Sequence, residues 1–126
     1  LMDGEGTITL SRLHKGDRFR APVVSVSSTT FELVDYLKET FGGSISTHKT
    51  YQEHHRPHWS WRLTRRSAID FLRNVSPFLK EPEKRRRAGL IVELYLQVTP
   101  RNGKYSDSLL LQKTRFEERF FHPSAP

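Results

Sequence analysis

The sequence predicts an α+β domain in which a four-stranded antiparallel sheet is covered by helices on one face. Three observations predict this fold class. Polar and apolar residues alternate in four short segments, apolar residues recur at helical spacing in four longer segments, and turn residues separate the segments. The order is β-β-α-β-β-α-α-α, so the strands form two hairpins. The second face of the sheet is expected to remain open.

The chain has 126 residues, the length of one compact domain, and 35% of them are hydrophobic. This hydrophobic content and the regular apolar spacing exclude a disordered chain. We expect residues 1–126 to form a single domain, with residues 101–126 as a C-terminal helical extension.

The formal net charge is +7, and a field of this sign attracts polyanions, so nucleic acid is the expected partner. No apolar run has the length of a bilayer-spanning helix, and no basic amphipathic anchor is present. We expect no membrane partner and no small-molecule substrate.

The chain contains no cysteine, which excludes disulfides, thiolate zinc sites and cysteine nucleophiles. A reducing, DNA-containing compartment, either the cytoplasm or an organellar matrix, fits this composition.

The first two strands form a hairpin. From Gly6 to Arg12, Thr and Ser alternate with Ile8 and Leu10, which is the pattern of a half-buried strand. A turn sequence over residues 14–17 leads to the second strand, residues 18–27.

A helix separates this hairpin from the next one. Thr29 or Thr30 caps the helix, and Gly42-Gly43 ends it. Residues 44–50 and 57–64 form the second pair of strands.

Three helices complete the chain. Ser67 caps the first of them, which ends at Ser76-Pro77. Pro82 suits the first turn of the next helix, which runs to Thr99-Pro100. Ser106 opens the last helix. Its expected buried residues are Leu109, Leu110, Phe116 and Phe120.

The hexapeptide Leu1-Met2-Asp3-Gly4-Glu5-Gly6 resembles the second half of the motif that defines the LAGLIDADG homing endonucleases. Residues 26–30, before a helix that ends in Phe41-Gly42-Gly43, and residues 76–80, before a basic helix, are similar to later segments of that family. The resemblance covers roughly Leu1 to Leu96. The front of the motif would precede Leu1, so we expect the motif helix to be truncated at its N-terminal side.

The resemblance implies a site-specific double-stranded DNA endonuclease that hydrolyses phosphodiester bonds with Mg²⁺ or another divalent cation. Glu5 occupies the position of the acid that binds the metal, and it is the predicted catalytic residue and metal ligand. Asp3 is expected to have a structural role. One motif per chain implies a homodimer and therefore a pseudo-palindromic target. The host element stays open between an intron, an intein and a free-standing gene.

Other catalytic positions follow from the same resemblance. Ser28, or Ser27 if the register slips by one residue, matches the polar side chain that organises water. A helix-capping role for this Ser/Thr cluster is the alternative. Pro82 stands where the family has a basic residue, so Lys84 or Lys80 is expected to reach the same space.

An antiparallel ribbon fits the major groove of DNA and presents alternate side chains to base edges. The predicted outward residues are Thr7, Thr9, Ser11, Arg18 and Arg20 in the first hairpin and Ser46, His48, His58, Ser60 and Arg62 in the second. Arginine would favour guanine, whereas serine and threonine discriminate poorly. The predicted phosphate contacts are Arg65, Arg66, Lys84, Arg85, Arg86 and Arg87.

Two alternatives to an endonuclease remain. A DNA-binding protein or intron maturase on the same fold that does not cleave is favoured by Pro82 and Ser28. A basic RNA-binding domain would expose aromatic residues on the sheet, but Trp59 and Trp61 alternate with polar residues as core residues do. The histidines of the second hairpin match no zinc-site spacing, so we interpret them as DNA-loop residues. These are His48, His54, His55 and His58.

Overall fold

Four antiparallel strands form one sheet in the computed structural model, which describes residues 6–48 and 58–123. The strands are β1 (Gly6–Ser11), β2 (Ala21–Ser28), β3 (Ser44–His48) and β4 (His58–Thr64). They lie in the order β1-β2-β4-β3, so the second strand of each hairpin is central.

Four helices follow the predicted order along the chain. They are α1 (Phe31–Phe41), α2 (Arg65–Val75), α3 (Pro82–Leu90) and α4 (Asp107–Phe121). A 3₁₀ turn, Ser76–Phe78, joins α2 to α3. After α3 the chain continues as a π turn, Ile91–Tyr95, and a 3₁₀ turn, Leu96–Val98. The predicted α+β fold class is confirmed.

The strand register separates an apolar face of the sheet from a polar one. Ile8 lies opposite Val24, and Val26 lies opposite Trp61, on the face that α1 and α2 cover. These side chains are buried, and Trp61 donates a hydrogen bond from Nε1 to the Gly42 carbonyl at 2.7 Å. The core interpretation is therefore confirmed for Trp61, whereas Trp59 is half-buried and packs against the edge of the core. Within the described residues, no helix combines the length and the apolarity needed to cross a bilayer.

Two predicted boundaries are wrong. β2 begins at Ala21, three residues later than predicted, because the Arg20 N–H donates to the Glu117 carboxylate at 2.9 Å and not to a neighbouring strand. α2 begins at Arg65, so Ser67 is not its cap. Arg65 has φ 55, a left-handed backbone conformation that L-residues seldom adopt, and this turns the chain from β4 directly into the helix.

Two helix starts agree with the sequence. Pro82 occupies the first turn of α3, and the side chain of Glu81 accepts hydrogen bonds from the N–H groups of Glu83 and Lys84. Ser106 accepts one from the Leu109 N–H at the start of α4. Each cap satisfies donors that the helix itself leaves unpaired.

The helix α4 is attached to the rest of the domain by a group of charged side chains that we call the α4 junction. It consists of Arg20, Glu83, Arg86, Arg87, Lys113 and Glu117. Arg20 pairs with Glu117 at 2.7 Å, and the side chains of these two residues are 31% and 10% exposed.

Lys113 is the most deeply buried cation of the α4 junction, with only 1% of its surface exposed. Its Nζ donates to Thr99 Oγ1 and lies 3.8 Å from the centre of the Tyr95 ring. Burial lowers the pKa of Lys113 to about 8, and the neighbouring Glu117 carboxylate opposes that shift.

Arg86 connects α3 to the end of α4, and Arg87 connects α3 to β1. Arg86 donates to Glu83 and to the carbonyls of Arg119 and Phe120, which end α4. Arg87 donates to Glu83 and, at 3.0 Å, to the Ile8 carbonyl of the edge strand β1. The hydrogen bond from Arg86 lowers the pKa of Glu83.

Candidate nucleic-acid interface

The open face of the sheet is made mainly of short hydroxyl side chains. The register from β1 through β2 and β4 to β3 defines this face. It carries Thr7, Thr9, Ser11, Ser25, Ser27, Ser44, Ser46, His58, Ser60, Arg62 and Thr64, together with Ala21 and the buried Val23 at one end of β2. A surface of short polar groups allows the backbone of a partner to approach the sheet closely.

Seven of the predicted outward residues lie on this face. They are Thr7, Thr9, Ser11, Ser46, His58, Ser60 and Arg62. The backbone of His48 pairs with that of His58 in the same register. The period of two along each strand places these residues, since each predicted strand has its apolar residues at the intervening positions.

Arg62 is the long basic side chain of the open face, and it is exposed. Its neighbours across the sheet are Ser25 on β2 and Ser44 on β3, both of which are short. No ion pair or hydrogen bond of its side chain occurs within the part of the chain that the structure describes. Its guanidinium therefore remains able to donate to a bound partner.

The predicted outward position of Arg20 is wrong. Arg20 precedes β2, its charge is paired with Glu117, and its guanidinium lies 5.0 Å from the centre of the Phe121 ring. It has the parity of Pro22 and Val24, which belong to the covered face. Arg18 is exposed but also lies outside the strand, with its guanidinium 5.7 Å from the Phe19 ring.

Ser27 and Ser28, two of the predicted catalytic positions, lie at one end of the sheet. Gly6, which follows Glu5 in the sequence, pairs with Val26, two residues before Ser28. A shallow cavity of about 380 Å³ at this end is lined by Ser27, Ser28, Thr29, Thr30 and His58. Glu5 and Asp3 themselves lie outside the described residues.

The hydroxyls of Ser27 and Ser28 have different partners. Ser28 Oγ accepts a hydrogen bond from the Thr30 N–H at 3.0 Å, which supports the turn from β2 into α1. Ser27 Oγ lies 2.8 Å from Ser60 Oγ on the open face. The water-organising role and the helix-capping role predicted for this Ser/Thr cluster are therefore compatible, because Ser28 supports the helix start and also lines the cavity.

The two candidate lysines are on either side of the start of α3. Lys80 is exposed, whereas Lys84 is half-buried in the first turn, and Pro82 lies between them. Within residues 6–48 and 58–123, no group of three or more His, Asp or Glu side chains is arranged to hold a metal ion.

The predicted phosphate contacts separate into two groups. Arg65, Arg66 and Arg85 are exposed. Arg86 and Arg87 are half-buried in the α4 junction, where they also have a structural role, and their contact with phosphate stays a prediction. Arg86 makes four hydrogen bonds to Glu83 and to backbone carbonyls, whereas Arg87 makes two and keeps N–H donors that a phosphate could use.

Comparisons with solved structures identify the architecture. The homing endonuclease I-CvuI, solved in complex with its target in the presence of 2 mM Ca, superimposes with a TM-score of 0.70 at 15% identity. The match covers 99% of this chain and 78% of that one. The LAGLIDADG homing endonuclease I-GzeII, in complex with a DNA target, gives a TM-score of 0.62 at 14% identity, over 98% and 46% of the two chains. This chain has the LAGLIDADG homing endonuclease fold.

A third structure of this fold, the archaeal intron-encoded homing endonuclease I-Vdi141I complexed with DNA, has a TM-score of 0.56 at 17% identity. The match covers 98% of this chain and 79% of that one. No protein-family model and no curated protein matches the sequence. The LAGLIDADG fold suggested by the short N-terminal hexapeptide and two later segments is thus confirmed by the three-dimensional comparison.

Sequence reasoning missed four open-face residues of the LAGLIDADG sheet: Ser25, Ser27, Ser44 and Thr64. Strict alternation counted from Val24, Ile45 and Leu63 would have found them.

Proposed function

We propose that the chain is one subunit of a homodimeric, site-specific DNA endonuclease that depends on a divalent cation. The observation that carries this proposal is the open sheet face, with its hydroxyl surface and available Arg62, on a fold whose neighbours were solved with DNA. The net charge of +7 supplies the attraction to a polyanion.

The open face supplies the DNA-reading surface in this proposal. The major groove is about 12 Å wide and admits a two-stranded ribbon, whose alternate side chains then reach the base edges. Arg62 donates to guanine, and the surrounding hydroxyls contact bases or bridging waters with little discrimination. Arg65 and Arg66 contact phosphates where β4 ends, and they contribute affinity rather than sequence preference.

A homodimer follows from the single acidic motif of the sequence. Residues 1–126 match 78% of I-CvuI and 46% of I-GzeII, and they carry one such motif. Two copies related by a twofold axis would each contribute a Glu5 and one reading surface. The target is then a pseudo-palindrome.

The cleavage site is proposed to lie at the end of the sheet that carries Ser28. Glu5 from each copy would hold the cation, and the chemistry supplied by a bound magnesium ion would be activation of a water and stabilisation of the leaving oxygen. Ser28 orients water next to the scissile phosphate, and Lys84 or Lys80 neutralises charge that develops on it.

A second candidate function is sequence-specific DNA binding without cleavage, as in a regulator or an intron maturase. One observation favours it: Pro82, at the position that matches the basic residue of the family, carries no charge and fixes the first turn of α3. An RNA-binding domain that stacks bases on its sheet is less well supported, because Trp61 is buried and Trp59 packs against Phe31 on the covered face.

Cleavage of a randomised DNA library tests the proposal. With Mg²⁺, the protein should linearise plasmids that carry related pseudo-palindromic sites, and chelation should stop the reaction. Glu5→Gln should bind the selected sites with unchanged affinity and cut them at least a hundredfold more slowly. Glu39→Gln, at an exposed acid of α1, is the matched control and should cut normally.

Each outcome decides between the candidates. Sequence-specific binding without cleavage by the unmodified protein would favour the second candidate. Equal cutting by Glu5→Gln would remove Glu5 from the mechanism. A protein that remains a monomer on its DNA would contradict the twofold arrangement, because the solution mass should be twice that of one chain.

A further inference from the structure

A second cavity of about 710 Å³ lies between the first turn of α2 and the segment that connects α3 to α4. Arg65, Arg66 and Arg101 line it, and no carboxylate does. We call it the arginine cavity. It adjoins Thr64, which pairs with Val23 at the end of the sheet opposite Ser28.

The positive charge of the arginine cavity has no internal counterion. Four other arginines pair with carboxylates: Arg20, Arg73, Arg86 and Arg87. In residues 6–48 and 58–123, by contrast, no ion pair involves any of the three arginines that line the cavity. Three guanidinium groups around one space repel one another, and an anion bound between them would remove that repulsion.

A further cation lies behind the cavity wall. Thr99 lines the cavity, and its hydroxyl accepts a hydrogen bond from the buried ammonium of Lys113. The Lys113 ammonium therefore adds positive charge behind the cavity wall, and the Glu117 carboxylate, which acts on both Lys113 and Tyr95, offsets part of it.

The floor of the arginine cavity is apolar. Ile69 is 1% exposed, and Leu96, Tyr95 and Pro100 are half-buried around it. The volume falls within the range of about 300–1,000 Å³ that is common for small-molecule sites. A phosphate ion alone would leave this floor uncovered, whereas a ligand that carries a planar ring beside its phosphate would cover it.

We propose that the arginine cavity binds a nucleotide, with the phosphate between the arginines and the base on the apolar floor. Guanidinium groups bind phosphate through paired, charge-assisted hydrogen bonds, and the flat base covers Leu96, Pro100 and the edge of Tyr95. Two sources have this chemistry: a free mononucleotide, and an unpaired nucleotide within a single strand.

The site is independent of the cleavage chemistry. It lies beyond the Thr64 end of β4 and contains none of the residues proposed to act on the scissile phosphate, and it shares only Arg65 and Arg66 with the proposed contacts to the DNA backbone. Binding of a mononucleotide requires neither duplex binding nor Glu5, so the two proposals can fail separately.

Equilibrium dialysis with the full chain tests the proposal. The ligands are a ribonucleoside 5′-monophosphate, inorganic phosphate, the free nucleoside and a single-stranded trinucleotide. Arg101→Glu reverses one charge of the cavity, and Arg115→Glu makes the same change at an exposed arginine of α4 outside it. Thermal unfolding of each variant, with and without the monophosphate, reports folding and ligand-linked stabilisation.

The monophosphate should bind the unmodified chain at least tenfold more tightly than inorganic phosphate or the nucleoside does. Arg101→Glu should weaken it at least tenfold and abolish the rise in Tm, while Arg115→Glu changes neither. Tighter binding of the trinucleotide would assign the site to a single strand, and equal binding would assign it to a free nucleotide.

Three results would overturn the proposal. The first is undetectable binding of both the monophosphate and the trinucleotide. The second is phosphate binding as tight as that of the monophosphate, which would mean an anion site that makes no use of the floor. The third is normal nucleotide binding by a folded Arg101→Glu.

Discussion

The α4 junction and the open sheet face are both rich in polar residues, but they use them in opposite ways. At the α4 junction, Arg20, Arg86 and Arg87 donate to carboxylates and backbone carbonyls of their own chain. On the open face, Arg62 is surrounded by serines and has no such partner among the described residues. Both regions carry positive charge, but the charge of the open face is more available to bind a second molecule.

This difference shows that a basic sequence does not by itself define a binding surface. The run from Lys84 to Arg87 is the densest block of positive charge in the chain, yet half of it stabilises the attachment of α4. Arg62 stands alone between polar neighbours and remains exposed. Binding should therefore depend on isolated arginines of the sheet, and stability on those of the junction.

Removing the Glu117 carboxylate from the α4 junction should have the largest effect on stability. Glu117→Ala leaves Arg20 without its partner and removes the only anion that contacts it within the described residues. Because the pair is mostly buried, we expect the free energy of unfolding to fall by about 2–3 kcal/mol. Urea denaturation measures this change. Glu118→Ala, at the exposed neighbouring position, is the matched control and should change stability by less than about 0.5 kcal/mol.

Lys113 should make stability depend on pH. Its pKa is about 8 in the folded chain and 10.5 in the reference state, so above pH 8 the unfolded chain binds more protons than the folded one. The free energy of unfolding should therefore rise as pH increases from 8 towards 10, by about 2–3 kcal/mol in total. Burial raises the pKa values of Tyr95 and Tyr105, and their ionisation in the unfolded chain reverses the trend above pH 10.

Denaturation curves collected between pH 7 and pH 10 test this dependence. Lys113→Met should lose most of the rise, whereas Lys104→Met, at an exposed position, should retain it. A rise of unchanged size in Lys113→Met would show that another group titrates.

A pair of arginine variants separates binding from stability. Arg62→Ala should weaken binding to a selected duplex about tenfold and relax the preference for guanine at one position of each half-site. Its free energy of unfolding should change by less than about 0.5 kcal/mol. Arg86→Ala should show the reverse, with a loss of about 1–2 kcal/mol in stability and little change in binding. Equal effects of both variants on DNA affinity would remove the distinction between the two regions.

Much of the fold follows from local patterns in the sequence. Alternation in β1 and β4, the Gly42-Gly43 stop and the caps at Glu81 and Ser106 all act over a few residues, so the sequence reveals them. Gly43 is required where it stands, because a Cβ there would lie 2.5 Å from the Arg62 carbonyl oxygen. The start of β2 was missed because it depends on Glu117, which is 97 residues away from Arg20.

The candidate site was less predictable than the fold. Ser60 and Arg62 could be placed from their alternation with Trp59 and Trp61. The hydrogen bonds of Arg86 to α4 could not be predicted, because they include backbone carbonyls more than thirty residues away in the sequence. The arginine cavity likewise combines Arg65 with Arg101, which only the tertiary structure brings together.

Protection of a single thiol by DNA tests the central claim, that the open sheet face is the DNA-contacting surface. The chain has no cysteine, so Ser46→Cys on β3 and Ser108→Cys on α4 each carry one reactive group at an exposed position. Bound duplex should slow the alkylation of Ser46→Cys at least tenfold and leave Ser108→Cys unaffected. Alkylation of Ser46→Cys at the same rate in a saturated complex as in the free protein would contradict the account.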